Sequence, residues 1–419
     1  MKRTAVYGFI VSVFVLLSIE GCKSSGSVQD IPDPSLRIRD IYAGVANVFI
    51  IREDGTLWTA GYNRSGQLGL GETENPAAIV QIKDGAADFT GAKSVAAGEN
   101  HTLVLKEDGT LWAAGESFYG ELGLGNDGTG KLPVFIRLKS GGTDGEFISG
   151  VQTAAAGNNS TFFIKEDGTL WAGGYNYYGE LGLGDRENHP VFTRVSSAGS
   201  GVIEVSAGVR HTVILKNDGT VWTAGYNFNG QLGLGIPEDA SVFTQVQDIG
   251  SQAAAAAAGN YHTVVLKKDG TVWIAGENYY GQLGWSDQAD QRRFIQAADD
   301  NGPLTDVKAI AARGDLTLVL KNDGSLFLAG NYSEPEPMGD EVYVVQNQPD
   351  REKPKSTFAP LIPEGNAPLG EIKKIGLGYQ SIYVITADGR LWAAGNNRYG
   401  QLNMGEATLA SSFLKQVYP

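Results

Sequence analysis

A recurring pattern of hydrophobic and polar residues predicts β-strands along most of the chain. In one unit, residues 211–216 form a β-branched run and residues 220–225 form a second run of the same kind. An Asp-Gly pair lies between them, and glycine accepts the positive φ that such a hairpin turn requires. Residues 243–246 predict a further short strand, and residues 253–258 begin the next unit. The spacing therefore predicts four strands per unit, without helical periodicity.

This unit occurs seven times. Its Asp-Gly pairs begin at Asp54, Asp108, Asp167, Asp218, Asp269, Asp323 and Asp388. Four positions after each Asp comes an aromatic residue, namely Trp58, Trp112, Trp171, Trp222, Trp273, Phe327 and Trp392. A four-stranded sheet can bury both of its faces only against neighbouring sheets. Seven copies therefore predict an all-β protein with the fold of a seven-bladed β-propeller. The repeated Trp would pack between blades, and alanine-rich strands such as residues 253–258 would lie nearest the axis.

The two ends of the repeat region predict how the ring closes. The first unit begins with a strand at residues 37–43 and has no Phe-x-x-Val strand before it. The last unit ends with a comparable strand, Phe413-Leu-Lys-Gln-Val417, and has no unit after it. Because an unpaired edge strand invites aggregation, we expect the C-terminal strand to complete the N-terminal blade.

The sixth unit departs from the pattern. After Gly330 the expected Gln-Leu-Gly stretch is absent, and a long insertion with six prolines occupies residues 331–368. Proline cannot donate to a central strand ladder, so this segment is expected to protrude as a loop. It is either tolerated variation at the surface or a recognition loop over one face.

The N-terminus is expected to be a targeting signal rather than part of the fold. Lys2 and Arg3 precede a short apolar run, which is too short to span a bilayer and ends at Gly21-Cys22. This arrangement resembles a bacterial lipoprotein signal, which implies that Cys22 is lipidated. We therefore expect a signal peptide at residues 1–21, a flexible tether at 22–34 and the propeller at 35–419, with the protein lipid-anchored in the bacterial cell envelope. The alternative is an ordinary secretory signal and a secreted or periplasmic protein.

The net charge and the reactive residue types in the sequence reduce the number of functions to consider. The formal net charge of −14 disfavours nucleic-acid binding. His101, His211 and His262 occupy one repeat position on different blades, so they are not expected to converge on a metal ion. His189 does not occupy this repeat position. No nucleophile elbow or phosphate cradle is present. The sequence predicts no catalytic residue, no metal and no cofactor; a carboxylate-based lyase or hydrolase is the less favoured alternative.

One motif carries a family resemblance. Gly-x-Asn-x-x-Gly-Gln-Leu-Gly-x-Gly stands at residues 61–71 and 225–235, and variants begin at Gly115, Gly174, Gly276 and Gly395. Together with Ala-Gly-x-x-His-Thr and Asp-Gly-x-x-Trp, this pattern resembles the repeat of the regulator of chromosome condensation family. The resemblance implies a seven-bladed propeller that binds partners through a loop face. It does not by itself imply a particular activity.

The loop after each return strand supplies the candidate binding residues. The first of its two variable positions holds large aromatic or arginine residues, which commonly anchor protein interfaces: Arg64, Phe118, Tyr177, Phe228, Tyr279 and Arg398. The second position, where tyrosine is commonest, is expected to pack beneath the neighbouring blade. We therefore expect a monomeric, envelope-anchored binding or scaffold protein with an unidentified protein partner. An enzyme-inhibitor or carbohydrate-binding propeller is the alternative.

Overall fold

A computed structural model describes residues 37–125, 130–285, 287–330, 358–363, 368–402 and 410–418. Within them lie seven four-stranded antiparallel sheets, and each sheet uses four strands in chain order. The prediction of an all-β, seven-bladed propeller is confirmed.

The strands of each blade are named here from the axis outward. The inner strands are Ile38–Ala43, Ala92–Ala97, Val151–Ala156, Val202–Ala207, Ala253–Ala258, Val307–Arg313 and Ile372–Leu377. The second strands are Asn47–Arg52, His101–Lys106, Ser160–Lys165, His211–Lys216, His262–Lys267, Leu316–Lys321 and Ser381–Thr386. The third strands are Leu57–Gly61, Leu111–Glu116, Leu170–Gly174, Val221–Gly225, Val272–Gly276, Leu326–Gly330 and Leu391–Asn396. The outer strands are Val80–Gln81, Lys131–Arg137, His189–Arg194, Ala240–Gln245, Gln291–Gln296, Ala359–Pro360 and Ala410–Tyr418.

Short elements connect some of the blades. They are strands Lys83–Asp84, Ala87–Asp88, Ser140–Thr143, Ala298–Asp299 and Gly302–Pro303, and the 3-10 helix Ser196–Ala198.

The inner strands define the axis. Each contacts the inner strand of the next blade, and that of blade 7 contacts that of blade 1. Arg313 reaches across this ring, because its guanidinium Nη2 donates to the carbonyl of Ala97 at 2.7 Å, from blade 6 to blade 2. The alanine-rich strand Ala253–Ala258 is one of the inner strands, as the sequence predicted.

The hydrophobic core lies between blades rather than at one centre. A buried Phe on each of five outer strands or just before one packs on a glycine of the preceding blade. Phe243 shows why glycine is needed, since a Cβ on Gly182 would lie 2.5 Å from its ring atom Cδ2. The other pairs are Phe135 on Gly69, Phe192 on Gly123, Phe294 on Gly233 and Phe358 on Gly284. The last glycine of Gly-Gln-Leu-Gly is therefore a packing position between blades.

The Asp-Gly turns bond to their own strands. In blade 4, Asp218 Oδ1 accepts hydrogen bonds from the Thr220 backbone N–H at 2.9 Å and from its hydroxyl at 2.7 Å. The Thr220 hydroxyl in turn accepts from Trp222 Nε1 at 2.9 Å, while Lys216 Nζ lies 4.1 Å from the centre of a Trp222 ring. Trp222 packs against a core cluster shared by blades 3 and 4. The predictions of a turn-forming Asp and of a Trp packed between blades are confirmed.

The prediction that the C-terminal strand completes the N-terminal blade is wrong. Ala410–Tyr418 pairs with Leu391–Asn396 of its own blade. Blade 1 already has an outer strand, Val80–Gln81, which lacks the Phe of the other units. Because every blade is complete, the ring closes by packing of blade 7 against blade 1, with Val417 at the edge of their shared cluster.

The sixth blade takes its outer strand from the end of the segment assigned to the insertion. Phe327 and Leu328 pair with Pro360 and Ala359, and Phe358 is buried beside them. The strand is the outermost of its sheet, where a proline is tolerated. The remainder of the segment, residues 331–357 and 364–367, lies outside the described residues.

Candidate functional site

The two ends of the propeller differ in how they are built. Each chain turn from inner to second strand lies at the same end as the loop that follows the third strand, because successive strands run in opposite directions. The Tyr226 N–H donates to the carbonyl of Arg210 at 2.8 Å and joins two such loops. This end is called the loop face. The Asp-Gly turns lie at the opposite end, called the turn face.

Recurring Asn and Gln side chains shape each loop after a third strand. In blade 4, the buried Asn227 accepts from the Leu232 N–H at 3.0 Å and donates to the carbonyl of Glu238 at 3.1 Å. Gln231 Oε1 accepts from the Asn229 N–H at 3.2 Å. These bonds hold the loop closed from inside. Phe228, which lies between the bonded residues, is left facing solvent.

All six candidate binding residues lie on the loop face and are exposed. Phe118, Tyr177, Phe228 and Tyr279 are between 61% and 68% exposed. Arg64 and Arg398 are also exposed. The structure places the six at equivalent positions on six blades, so they surround the axis rather than meet at one point. Their binding role stays a prediction.

The second variable position packs against the next blade. Tyr178 meets Tyr226 edge-on, with ring centres 4.9 Å apart, and Tyr119 meets Tyr175 in the same way at 5.0 Å. This packing agrees with the prediction for the second position. Its partners Tyr175 and Tyr226 were not predicted; they directly follow the last glycine of the third strand, and the recurring Gly-Tyr-Asn was the available signal.

These contacts build a continuous aromatic surface across blades 2 to 5. It is called the aromatic arc and comprises Tyr119, Tyr175, Tyr177, Tyr178, Tyr226, Phe228 and Tyr261. Besides the two contacts above, Tyr175 and Tyr177 stack at 6.5 Å, Tyr226 and Phe228 stack at 6.4 Å, and Tyr226 meets Tyr261 at 6.2 Å. Exposed Phe118 directly precedes Tyr119 in sequence, whereas exposed Tyr279 lies in blade 5 and meets Tyr280 edge-on at 4.9 Å.

The arc carries one cation of the chain itself. The Arg210 guanidinium lies 4.8 Å from the ring centre of Tyr178 and 5.9 Å from that of Tyr226. This spacing is within the range of cation–π attraction.

Two glutamates lie beneath the arc, where other blades have glutamine. Glu121 and Glu180 occupy the Gln position of Gly-Gln-Leu-Gly and are buried. Burial raises the pKa of each to about 7. Each accepts from the backbone N–H of Tyr119 or Tyr178, two residues earlier, as Gln231 does in blade 4. These hydrogen bonds shape the loops.

The three histidines at one repeat position are structural. His211 Nε2 lies 3.0 Å from the Thr263 hydroxyl of the next blade, and this hydroxyl donates to the carbonyl of Gln231 at 2.7 Å. The hydroxyl therefore accepts from a protonated Nε2. Burial lowers the pKa of His101 and His211 to about 4 and that of His262 to about 3. The imidazoles are thus neutral at ordinary pH and bonded between blades.

Two further observations bear on the expected anchor and metal content. Cys22 and the segments expected to be a signal peptide and a tether lie outside the described residues. Among residues that the structure does describe, no helix is long and apolar enough to cross a bilayer. Within the same ranges, no group of three or more His, Cys, Asp or Glu side chains is placed to hold a metal ion.

Comparison with known families gives one consistent result. Two sequence models, both described as the regulator of chromosome condensation (RCC1) repeat, match this chain. The first matches residues 54–105, 167–215 and 218–266. The second matches residues 92–121, 202–231, 254–282 and 372–401. Together they cover about half of the chain.

Individual relatives and solved structures are similar to this chain. The ultraviolet-B receptor UVR8 of Arabidopsis thaliana is 34% identical over 64% of this chain, and the match spans 60% of that receptor. The bovine secretion-regulating guanine nucleotide exchange factor is 29% identical over 57% of this chain and 51% of its own length. Yeast RCC1 (Prp20), solved bound to Kap60, is 18% identical with a TM-score of 0.66, over 96% of this chain and 91% of that one. Human WBSCR16 has a TM-score of 0.68 at 18% identity, over 86% and 93%.

Proposed function

Because the chain belongs to the RCC1 repeat family, we propose that it is a non-enzymatic binding or scaffold protein that recognises a protein partner through its loop face. The aromatic arc is the observation that carries this proposal. Tyr, Trp and Arg supply most of the binding energy at protein interfaces. The arc presents such side chains as one connected, partly exposed surface, whereas five Trp residues of the turn face each bond a threonine of their own blade.

The expected lipid anchor is compatible with a loop face that points away from the membrane. Arg37 is the first described residue, and its side chain lies 3.9 Å from the Cβ position of Gly389, in the Asp-Gly turn of blade 7. The chain therefore enters the propeller at the turn face. A lipid on Cys22 and a flexible tether would hold the turn face towards the membrane and leave the loop face free.

The test is capture of the partner in native membranes. Replacing Phe118, Tyr177, Phe228 and Tyr279 together with Ala should abolish crosslinking of the full-length protein to its partner, because these are the four most exposed aromatic side chains of the loop face among the described residues. The melting temperature should be nearly unchanged, since all four face solvent.

A matched control removes apolar surface elsewhere. Val134, Phe147, Val242 and Ile362 are between 44% and 52% exposed and lie outside the arc. Their combined replacement with Ala should leave capture intact. Undiminished capture by the first variant, or equal loss in both, would contradict the proposal. A glycan array that binds the wild type but not the first variant would favour a carbohydrate ligand instead.

A further inference from the structure

We propose that the middle of the aromatic arc is a receptor for a carboxylate, which Arg210 binds, and that the partner inserts the side chain of an Asp or Glu there from an apolar segment. This inference rests on the proposed function and names the chemistry of the partner. Tyr178 and Tyr226 are the rings that the Arg210 guanidinium lies over. The three residues are called the arginine site.

Hydrogen bonds to two loops fix Arg210 on the loop face. The carbonyl of Arg210 accepts from the Tyr226 N–H at 2.8 Å, which ties it to the following loop of its own blade. Two residues later, the Thr212 hydroxyl donates to the carbonyl of Glu180 at 2.8 Å, which ties the start of the second strand to the loop of blade 3. The backbone of Arg210 is therefore held between two loops of the arc before any ligand arrives.

The guanidinium of Arg210 lies over aromatic rings but has no polar partner. It is half-buried, with its Cζ 4.8 Å from the ring centre of Tyr178 and 5.9 Å from that of Tyr226. Among the described residues, it forms no ion pair and donates no hydrogen bond. By contrast, the Arg313 guanidinium donates to the carbonyl of Ala97 at 2.7 Å. Contact with a ring uses the face of a guanidinium and leaves the N–H groups at its edge available to a planar acceptor.

Two carboxyl groups beside the arc already have other partners. Asp239 Oδ2 lies 3.5 Å from Arg186 Nη1. Glu180 is buried and accepts from the Tyr178 N–H at 2.9 Å, and burial raises its pKa to about 7. Because neither group forms an ion pair with Arg210, the charge of this guanidinium remains available to a ligand.

A carboxylate on an apolar segment fits the arginine site in shape and in surroundings. It is planar and accepts two parallel hydrogen bonds from one guanidinium. Apolar residues on either side of it would cover the tyrosine rings and exclude water, which strengthens the attraction between the two charges. A phosphate would carry more negative charge and would be repelled more strongly by a protein with a net charge of −14.

The first experiment selects ligands without assuming a partner. A phage-displayed library of random short peptides is selected on the full-length protein. The wild type should enrich an Asp or Glu flanked by aromatic or aliphatic residues. Arg210→Gln should lose the acidic preference, keep the apolar one and melt at nearly the same temperature. General attraction to an acidic protein would instead enrich Lys and Arg, so the expected signal opposes the overall charge.

A double-mutant cycle then assigns the contact. The strongest selected peptide is labelled, and a second peptide carries Gln in place of its acidic residue. Fluorescence anisotropy should show that Arg210→Gln or the peptide change alone weakens binding about tenfold or more, because one bidentate charged pair is lost. Both changes together should weaken it no further. Arg210→Lys keeps the charge without the planar fork and should give an intermediate affinity.

Arg137→Gln is the matched control. Arg137 is also half-buried and lies over an aromatic ring, 4.7 Å from the ring centre of Phe147, but it belongs to the outer strand of blade 2 and not to the arc. Its replacement should keep the acidic preference and change affinity less than about twofold at moderate salt, because distant charges are screened.

The outcomes separate this inference from the proposed function. Wild-type selections without an acidic preference, equal loss in the Arg210 and Arg137 variants, or additive effects in the cycle would overturn the inference. The proposed function would still stand if native partner capture required the four exposed aromatic residues. Capture that survives the loss of those residues would contradict the proposed function instead.

Discussion

Two kinds of junction between blades hold the ring together. Between blades 4 and 5, and again between blades 5 and 6, a neutral histidine bonds a threonine of the next blade. Where blade 7 meets blade 1, Ser381 and Val48 occupy the corresponding positions. That junction is called the seam, and it contains a buried ion pair between Lys374 and Asp40.

The difference shows that adjacent blades can be joined by neutral or by charged groups: the His–Thr bonds join two second strands, and the Lys374–Asp40 pair joins two inner strands. Burying a hydrogen-bonded pair of neutral His and Thr side chains costs little desolvation free energy. A buried ion pair must instead recover the larger cost of removing two charges from water. Neighbours at the seam also matter, because Arg39 Nε lies 3.3 Å from Asp40 Oδ2. We expect the stability of the junctions with a His–Thr bond to change little with pH. We expect the stability at the seam to fall strongly when one partner of the ion pair is removed.

The largest expected effect is at the seam. Lys374→Met leaves the Asp40 carboxylate buried beside a neutral side chain and should lower the free energy of unfolding by about 3–5 kcal/mol. Urea unfolding at pH 7 measures it. Lys373→Met is the matched control, since Lys373 is exposed and its Nζ lies 3.8 Å from Glu53; it should cost less than about 1 kcal/mol. Equal effects of the two changes would show that the buried pair has no special role.

An intermediate effect of opposite sign is expected beneath the aromatic arc. Glu180 is buried where blade 4 has Gln231, and burial raises its pKa to about 7. The unfolded chain therefore loses this proton at lower pH than the folded one does, and stability falls as pH rises from the unfolded value to about 7. Glu180→Gln should raise the free energy of unfolding at pH 8 by up to about 3 kcal/mol.

The pH profile distinguishes this cause from a simple packing gain. The advantage of Glu180→Gln should vanish near pH 4, where both states of the wild type are protonated. Gln231→Glu is the reverse change in blade 4 and should reproduce the wild-type blade 3 behaviour. A gain that is equal at pH 4 and pH 8 would contradict the assigned cause.

The smallest effect concerns the turn of blade 7. Five other blades have a threonine whose hydroxyl accepts from the indole N–H, but blade 7 has Arg390, and the buried Trp392 Nε1 has no partner among the described residues. Arg390→Thr should supply the acceptor and raise stability by about 0.5–1.5 kcal/mol. Thermal unfolding measures it, with Thr220→Arg in blade 4 expected to produce the opposite change. An unchanged midpoint for both variants would show that this bond contributes nothing.

Much of the fold followed from the sequence because each blade repeats a local pattern. The Asp-Gly turn and the aromatic residue four positions later fixed the number of blades and the direction of each hairpin. The exposed positions also followed, since Phe228 lies between residues that form the loop. The way in which the ring closes at the seam did not follow from the sequence, because Val80–Gln81 is too short and lacks the Phe that marks other outer strands.

Contacts between blades were the second feature that could not be predicted from the sequence. Nothing near Arg210 in sequence indicates that it lies over Tyr178 of the preceding blade. The outer strand of blade 6 was hidden by proline, although Phe358 and Leu361 have the spacing of Phe243 and Val246.

The contiguity of each blade has a consequence for how the protein acquires its structure. All hydrogen bonds of a sheet join strands that are neighbours in sequence, so each sheet can assemble as soon as its own residues are available. The seam alone unites the two ends of the repeat region, and closing this longer loop costs roughly 2 kcal/mol more entropy than joining adjacent blades. We therefore expect the meeting of Lys374 with Asp40 to be the final step of folding, and a nascent chain to remain an open crescent until blade 7 has emerged.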